Sequence, residues 1–142
     1  MTIYQLSIFI ENRSGALVKV LRILKQAGIQ IVASTVADTT DYGIYRLICS
    51  DPARACEKLR EGGISVALSD VFALELDNEP GRASDAIEAF EKANVSIAYL
   101  YSFMLRGKGV LIFRTDDIEK AREIILENNL RYITEPDLSK LV

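Results

Sequence analysis

Shifting the chain by 66 residues aligns it with itself without a gap, and this internal repeat limits the possible fold more than any other feature of the sequence. Nine positions coincide: Asn12 with Asn78, Gly15 with Gly81, Ala27 with Ala93, Ile31 with Ile97, Gly43 with Gly109, Asp51 with Asp117, and Ala55, Glu57 and Glu61 with Ala121, Glu123 and Glu127. The apolar pattern carries more weight than the identities. Leu6, Ile8 and Ile10 meet Phe72, Leu74 and Leu76; Leu21 and Leu24 meet Ile87 and Phe90; Ile44 and Leu47 meet Val110 and Phe113. A chain built this way makes one supersecondary unit twice.

The order of elements follows from periodicity and punctuation. Residues 3–10 alternate, with Tyr4, Leu6, Ile8 and Ile10 on one face, as a half-buried strand does. The turn Glu11-Asn12-Arg13-Ser14-Gly15 leads into a helix over 15–27, with Leu17, Val20, Leu21 and Leu24 as its inner stripe and Gly28 as its stop. Strand 29–36, a hairpin loop at 38–43 and strand 44–49 come next. Asp51 caps a second helix that Pro52 opens and Gly62-Gly63 ends, and strand 64–69 closes the copy. The second copy reads as strand 71–77, helix 82–93 with Ala83, Ala86, Ile87 and Phe90 inward, and strand 95–102. A turn at Arg106-Gly107-Lys108-Gly109, strand 110–115, helix 117–128, strand 130–134 and a short tail after Pro136 complete it. Strand-helix-strand-strand-helix-strand is the split βαβ pattern. The expected class is therefore α+β: a ferredoxin-like βαββαβ unit repeated twice, with antiparallel sheets, helices on one face, and the other face open to solvent or a partner. The expected units are 1–69 and 70–142. Each is small for independent stability, so they are expected to pack side by side.

Composition removes several classes of function. With no histidine, the commonest general base and metal ligand is missing, and so is every Ser-His-Asp or Cys-His arrangement. A formal net charge of -3 leaves no basic footprint for nucleic acid. The N-terminus has no basic, apolar leader, and no apolar run nears the ~20 residues that span a bilayer. Cys49 and Cys56 fit free thiols in a reducing compartment. The expectation is a cytoplasmic protein with no metal, cofactor, catalytic residue, nucleic-acid partner or membrane segment.

Both copies place an asparagine three residues before a glycine that opens a helix: Glu11-Asn12-Arg13-Ser14-Gly15-Ala16-Leu17 and Asp77-Asn78-Glu79-Pro80-Gly81-Arg82-Ala83. The first four N–H groups of a helix have no intrahelical partner, and with the helix dipole they favour an anion such as a carboxylate. Glycine admits close approach to the backbone, and the asparagine amide offers a donor and an acceptor. The plainer reading is a helix cap in a turn. Tyr99, Tyr101 and Phe103 have strand period and suit packing; Arg106-Gly107-Lys108-Gly109 lacks P-loop spacing; Asp38, Asp41 and Asp51 lack EF-hand spacing and suit turns.

These two turns, each between the first strand and first helix of a βαββαβ unit, resemble the signature of the ACT domain, an amino-acid-binding regulatory module carried by many metabolic enzymes. The resemblance covers nearly the whole chain as two tandem units. It implies a stand-alone regulatory sensor, not an enzyme, that binds a free amino acid at the seam between units, forms a homodimer, and acts on a metabolic enzyme. The residues it points to in the first copy are Asn12, Arg13, Ser14, Gly15, Ala16 and Leu17, with Gln30 and Ile31 at the start of the second strand. In the second copy they are Asn78, Glu79, Pro80, Gly81, Arg82 and Ala83, with Ser96 and Ile97. Ile10 and Leu76 stand where family members that bind polar amino acids sometimes carry a polar residue, and Arg13 against Glu79 and Ala16 against Arg82 mark divergence of the two copies. Two other readings stay open. One is a ligand-free regulatory or scaffolding subunit. The other is a small acylphosphatase-like enzyme using Asn12 and Arg13.

Overall fold

A computed structural model of the protein describes residues 1–11, 14–38 and 42–141, and in it the sequence repeat reappears as a repeat of strand register. The elements are β1 (Ile3–Glu11), α1 (Ala16–Gln26), β2 (Ile31–Asp38), β3 (Tyr42–Cys49), α2 (Pro52–Glu61), β4 (Ser65–Leu76), α3 (Arg82–Lys92), β5 (Ile97–Leu105), β6 (Lys108–Thr115), α4 (Ile118–Glu127) and α5 (Glu135–Leu141). β1 pairs antiparallel with β3, setting Leu6 opposite Leu47, and β4 pairs antiparallel with β6, setting Phe72 opposite Phe113. Both pairs are related by the same 66-residue shift. Even the irregularities coincide: β2 shifts register between Ile31 and Ala33, and β5 between Ile97 and Tyr99.

The chain divides into two compact units. One comprises Tyr4–Ser69 with the chain from Leu138 onward, and the other Met1–Ile3 with Asp70–Asp137. The first has strand order β2-β3-β1-β4, the order of a ferredoxin-like sheet, and the second has β4-β6-β5. The expected strands 64–69 and 71–77 are one strand, β4. Ser69 and Asp70 carry no turn geometry, and neither residue forbids extended backbone.

Each unit has its own helix-side core. In the first, Leu6, Leu24 and Leu47 are buried together; at the equivalent places of the second lie Phe72, Phe90 and Phe113. The Phe113 ring stacks on Phe72 with centroids 5.3 Å apart and tilts against Phe90 at 4.9 Å. Three leucines of the one core thus stand where the other has three phenylalanines.

The helix ends repeat too. Gly28 (φ 71°) and Gly63 (φ 78°) take the left-handed conformation beyond α1 and α2, and Asn94 (φ 59°) and Asn129 (φ 52°) take it at the matching positions beyond α3 and α4. Asparagine is the side chain that best tolerates this region. The β5–β6 hairpin turns on two residues, Arg106 (φ 52°) and Gly107 (φ 78°), the positive-φ pair of a tight type I′ turn, so Lys108 and Gly109 belong to the strand.

Several expectations need correction. The last strand, 130–134, shrinks to a bridge between Leu74 and Tyr132, held by Glu75 N–H to the Arg131 carbonyl (2.9 Å) and Ile133 N–H to the Ala73 carbonyl (2.8 Å). The expected tail is the helix α5. Its start is a capping box: Thr134 N–H donates to Asp137 Oδ2 (3.1 Å), and Asp137 N–H donates to Thr134 Oγ1 (3.3 Å). That box ends the strand by turning the chain into a helix. On α1 only Val20 and Leu24 are buried, while Leu17 and Leu21 are exposed; on α3 the buried pair is Ala86 and Phe90. Around these rows, Ala16, Ile23 and Ala27 of the first copy and Ile87, Ala89 and Ala93 of the second pack partly buried against the cores. The sheet face away from the helices is not open throughout, since Ile48, Ala73 and Ile112 on that face are buried.

Candidate functional site

The two motif turns fold alike. Gly15 (φ 87°, ψ -12°) and Gly81 (φ 86°, ψ -5°) are the cap residues of α1 and α3, both left-handed. A Cβ built on either meets nothing within 4 Å, so it is the backbone angle, and not crowding, that requires glycine. A glycine cap has no side chain with which to bond the first N–H groups of its helix. The other two helices of the repeat differ: Asp51 accepts from Arg54 N–H (3.2 Å) and Asp117 from Lys120 N–H (3.1 Å). One of the two helices in each copy is capped by its own carboxylate, and the motif helix is not. Ser14 lies in the turn and is exposed; Asn12 and Arg13 lie outside the described residues.

In the second copy the motif borders a hollow of about 290 Å³, which brings Asn78, Glu79, Arg82 and Ala83 against Ser102, Phe103 and Met104 of β5. Ion pairs run through this region. Arg82 bonds Glu79 (2.6 Å) and pairs with Asp85 (3.5 Å), Lys108 bonds Asp77 (3.2 Å), and Arg131 lies 3.9 Å from Glu75. Pro80 and Gly81 complete the turn and are exposed. The Lys108 hydrogen bond, and then its charge, hold the Asp77 carboxyl below its usual value of 3.8. A depressed folded-state value means that the pair stabilises the fold above the unfolded-state pKa, and that this is lost as pH falls through the folded-state value. The stability gap between wild type and Asp77→Asn is therefore expected to stay constant above about pH 5 and to close in more acid solution. Urea unfolding at a series of pH values measures it; a gap unchanged into strong acid would refute the pairing.

The residues at the start of the second strand of each copy do not line the hollow beside the motif helix of their own unit. Gln30 has its backbone committed to Ser50, with Gln30 N–H donating to Ser50 Oγ (2.9 Å) and Ser50 N–H to the Gln30 carbonyl (2.9 Å), and its side chain is exposed. Ile31 is half-buried against the first core. Ser96 and Ile97 line a shallow hollow with Ile87, Glu91 and Asn94, separate from the hollow at Asn78. Tyr99, Tyr101 and Phe103 form the half-buried face of β5, where Leu100 and Met104 on the opposite face are exposed.

The first copy has a further cleft of about 290 Å³ that sequence reading did not single out. It lies between the end of β1, the first turns of α1 and the start of β4, with a floor of Ile10, Val20 and Ile64. Ala16, the first residue of α1, lines it, as do Lys19, Tyr42, Ser65 and Glu11. A separate cleft of about 440 Å³ in the second copy is lined by the 66-residue equivalents of most of these residues, among them Asp85 for Lys19 and Arg131 for Ser65. Only the comparison of repeats could have drawn attention to Lys19, an ordinary solvent-side lysine by periodicity.

Among the described residues, no group of three or more histidine, cysteine or acidic side chains could hold a metal ion, and no helix is long and apolar enough to cross a membrane. The sequence model of the family described as ACT domain pair matches residues 1–142. The crystal structure of protein BT0572 from Bacteroides thetaiotaomicron superposes with a TM-score of 0.93 at 33% identity, covering 99% of this chain and 98% of that one. The regulatory subunits of aspartate kinase from Thermus thermophilus (TM-score 0.61, 14% identity, 87% of this chain and 91% of that one) and Thermus flavus (0.59, 17%, 87% and 90%) share the fold. No protein of curated function matches the chain.

Proposed function

The chain belongs to the ACT domain pair family, and from that premise we propose that it is a regulatory module, not an enzyme, which binds a free amino acid on the turn between the first strand and first helix of its repeat. Its occupancy is passed on to a metabolic enzyme or to a second copy of this chain. One observation carries this reading: the left-handed glycine starts of α1 and α3, matched within a few degrees, where α2 and α4 have aspartate caps. A motif kept for helix capping alone would use the aspartate that the chain uses elsewhere. A glycine start leaves the helix N–H groups and the positive end of the dipole to an anion from outside, and a free amino acid brings a carboxylate. Asn12 and Asn78 supply donor and acceptor for the ammonium and carboxylate. Arg13, Ser14, Leu17, Gln30, Ile31, Glu79, Pro80, Ser96 and Ile97 enter this reading through the family resemblance.

The test is a thermal-shift screen of the protein against the twenty amino acids, repeated on Asn12→Ala and Asn78→Ala. A ligand at a hundred times its Kd stabilises by ~2.7 kcal/mol, a shift of several degrees for units of this size. A dose-dependent rise lost in one asparagine variant supports the sensor and says which copy binds. No shift at millimolar concentrations would sink it and leave the ligand-free regulatory subunit.

A further inference from the structure

The 66-residue repeat keeps the buried rows of α1 and α3 and inverts their outer charges. Lys19, Arg22 and Lys25 of α1 stand where α3 has Asp85, Glu88 and Glu91, and all six are exposed. α1 carries no acidic residue, and its three cations make no ion pair among the described residues. α3 adds two cations, Arg82 and Lys92, which pair with Asp85 (3.5 Å) and Glu88 (3.4 Å) and leave the helix one charge negative. The side chains beside these charges differ in size. Leu17, Val18 and Leu21 are large and exposed on one face of α1. Their equivalents on α3 are Ala83 and Ser84, small and exposed, and Ile87, half-buried. Val18 lies one turn before Arg22 and Leu21 one turn before Lys25, so apolar and basic side chains share rows of α1. Large apolar side chains exposed together mark an interaction surface, as single ones do not. The charge contrast extends to the whole units. The unit that contains α1 has nine lysines and arginines against six acidic residues, and the unit that contains α3 has eight against fourteen, formal charges of +3 and -6.

We propose that α1 is a docking surface for a second copy of this chain and seats α3 of that copy, with Leu17, Val18 and Leu21 on its small residues and Arg22 and Lys25 among its acidic ones. A second copy is the occupant because the chain carries the complement of α1 in its own sequence: small where α1 is large, and acidic where α1 is basic. Setting α1 against α1 of a second copy would instead gather six cations with no acidic side chain on either helix. In a twofold dimer, α1 on the second copy's α3 entails the second copy's α1 on α3, so the same attraction is made twice. Burial of the apolar row supplies affinity, and the charges steer the encounter and select α3 over α1. The exposed ion pairs within α3 are weak enough to rearrange when α1 docks. The docking holds whether or not an amino acid binds on the motif turn, and so goes beyond that reading.

The experiment is sedimentation velocity of the full chain over a concentration series. It compares wild type with Arg22→Glu/Lys25→Glu, which makes α1 and α3 both acidic, with Glu88→Lys/Glu91→Lys, which makes both basic, and with an equimolar mixture of the two variants. The four side chains are exposed, so their reversal leaves the cores intact. Wild type is expected to dimerise, and more weakly as salt is raised. Each variant alone is expected to dimerise about tenfold or more weakly, because two charges are reversed at each of two contacts. The mixture is expected to dimerise about as tightly as wild type, in heterodimers where both contacts are attractive again, and that recovery shows both variants to be folded. A wild type that stays monomeric at low salt up to its highest soluble concentration, a variant that dimerises as wild type does, or a mixture no tighter than its components would overturn the proposal. Docking of α1 on α1 is among these outcomes, since it leaves Glu88→Lys/Glu91→Lys unchanged. If the chain is monomeric but responds to an amino acid in the thermal-shift screen, only this docking surface falls.

Discussion

Phe113→Ala is expected to lower the free energy of unfolding by about 3–5 kcal/mol, the largest effect of any single substitution considered for this chain. Phe113 is fully buried, and its ring meets both Phe72 and Phe90 at centroid distances of 5.3 and 4.9 Å. Truncation removes the transfer free energy of the ring, leaves a cavity, and forfeits two aromatic contacts worth about 0.5–1.5 kcal/mol apiece. Against a total stability of ~5–15 kcal/mol for a domain, that is a large share. Urea unfolding followed by circular dichroism measures it. The repeat supplies the control. Leu47 holds the same place in the first unit among leucines, so Leu47→Phe, which copies the second unit's residue, is expected to destabilise by about 1–3 kcal/mol through overpacking. If Phe113→Ala cost less than about 1 kcal/mol, the cluster would not be the packed core that its burial indicates.

Much of this fold is legible in the sequence because the chain states it twice. A faint alternation such as that of residues 3–10 is ambiguous alone, but its agreement with 69–76 under one fixed shift removes the ambiguity, and the register Leu6 to Leu47 and Phe72 to Phe113 follows. Repetition also explains where reading failed. The second copy has no third partner to be compared with, so nothing in the repeat warned that its last strand would shrink to a bridge. The signal was local: Thr134-Glu135-Pro136-Asp137 is a capping box with proline inside it, which starts a helix. The sequence reading ends one strand at Ser69 and begins the next at Val71, because polar Ser69 and Asp70 interrupt the apolar pattern; they are a half-buried and an exposed position inside one long strand. The motif turns were found by their Asn-x-x-Gly spacing, and their glycine starts are as regular as the spacing suggests. The clefts beside them were not found, since they are formed by residues from three elements, and spacing along one chain segment does not encode which side chains face each other across a gap.

Gly15→Val and Gly81→Val are expected to destabilise by nearly the same amount, about 1–3 kcal/mol each. The argument separates two causes that glycine substitutions usually confound. Valine at φ near 87° is strained because its β-branched side chain clashes with its own backbone there, and the glycine angles of the two copies are almost equal. Crowding adds nothing, because a Cβ at either site meets open space. Stability loss therefore reports backbone strain alone. The internal comparison is Gly28→Asn and Gly63→Asn. Asn94 and Asn129 already occupy the equivalent left-handed positions, so these two replacements are expected to cost only a few tenths of a kcal/mol. The open space over Gly15 and Gly81 then becomes a functional measurement. If a ligand carboxylate approaches the helix start there, valine blocks it, and the response to amino acids is lost in a variant that is still folded at the temperature of the assay. If the valine variants are strained as expected but respond to amino acids as wild type does, the space above these glycines is solvent, and the motif is a turn.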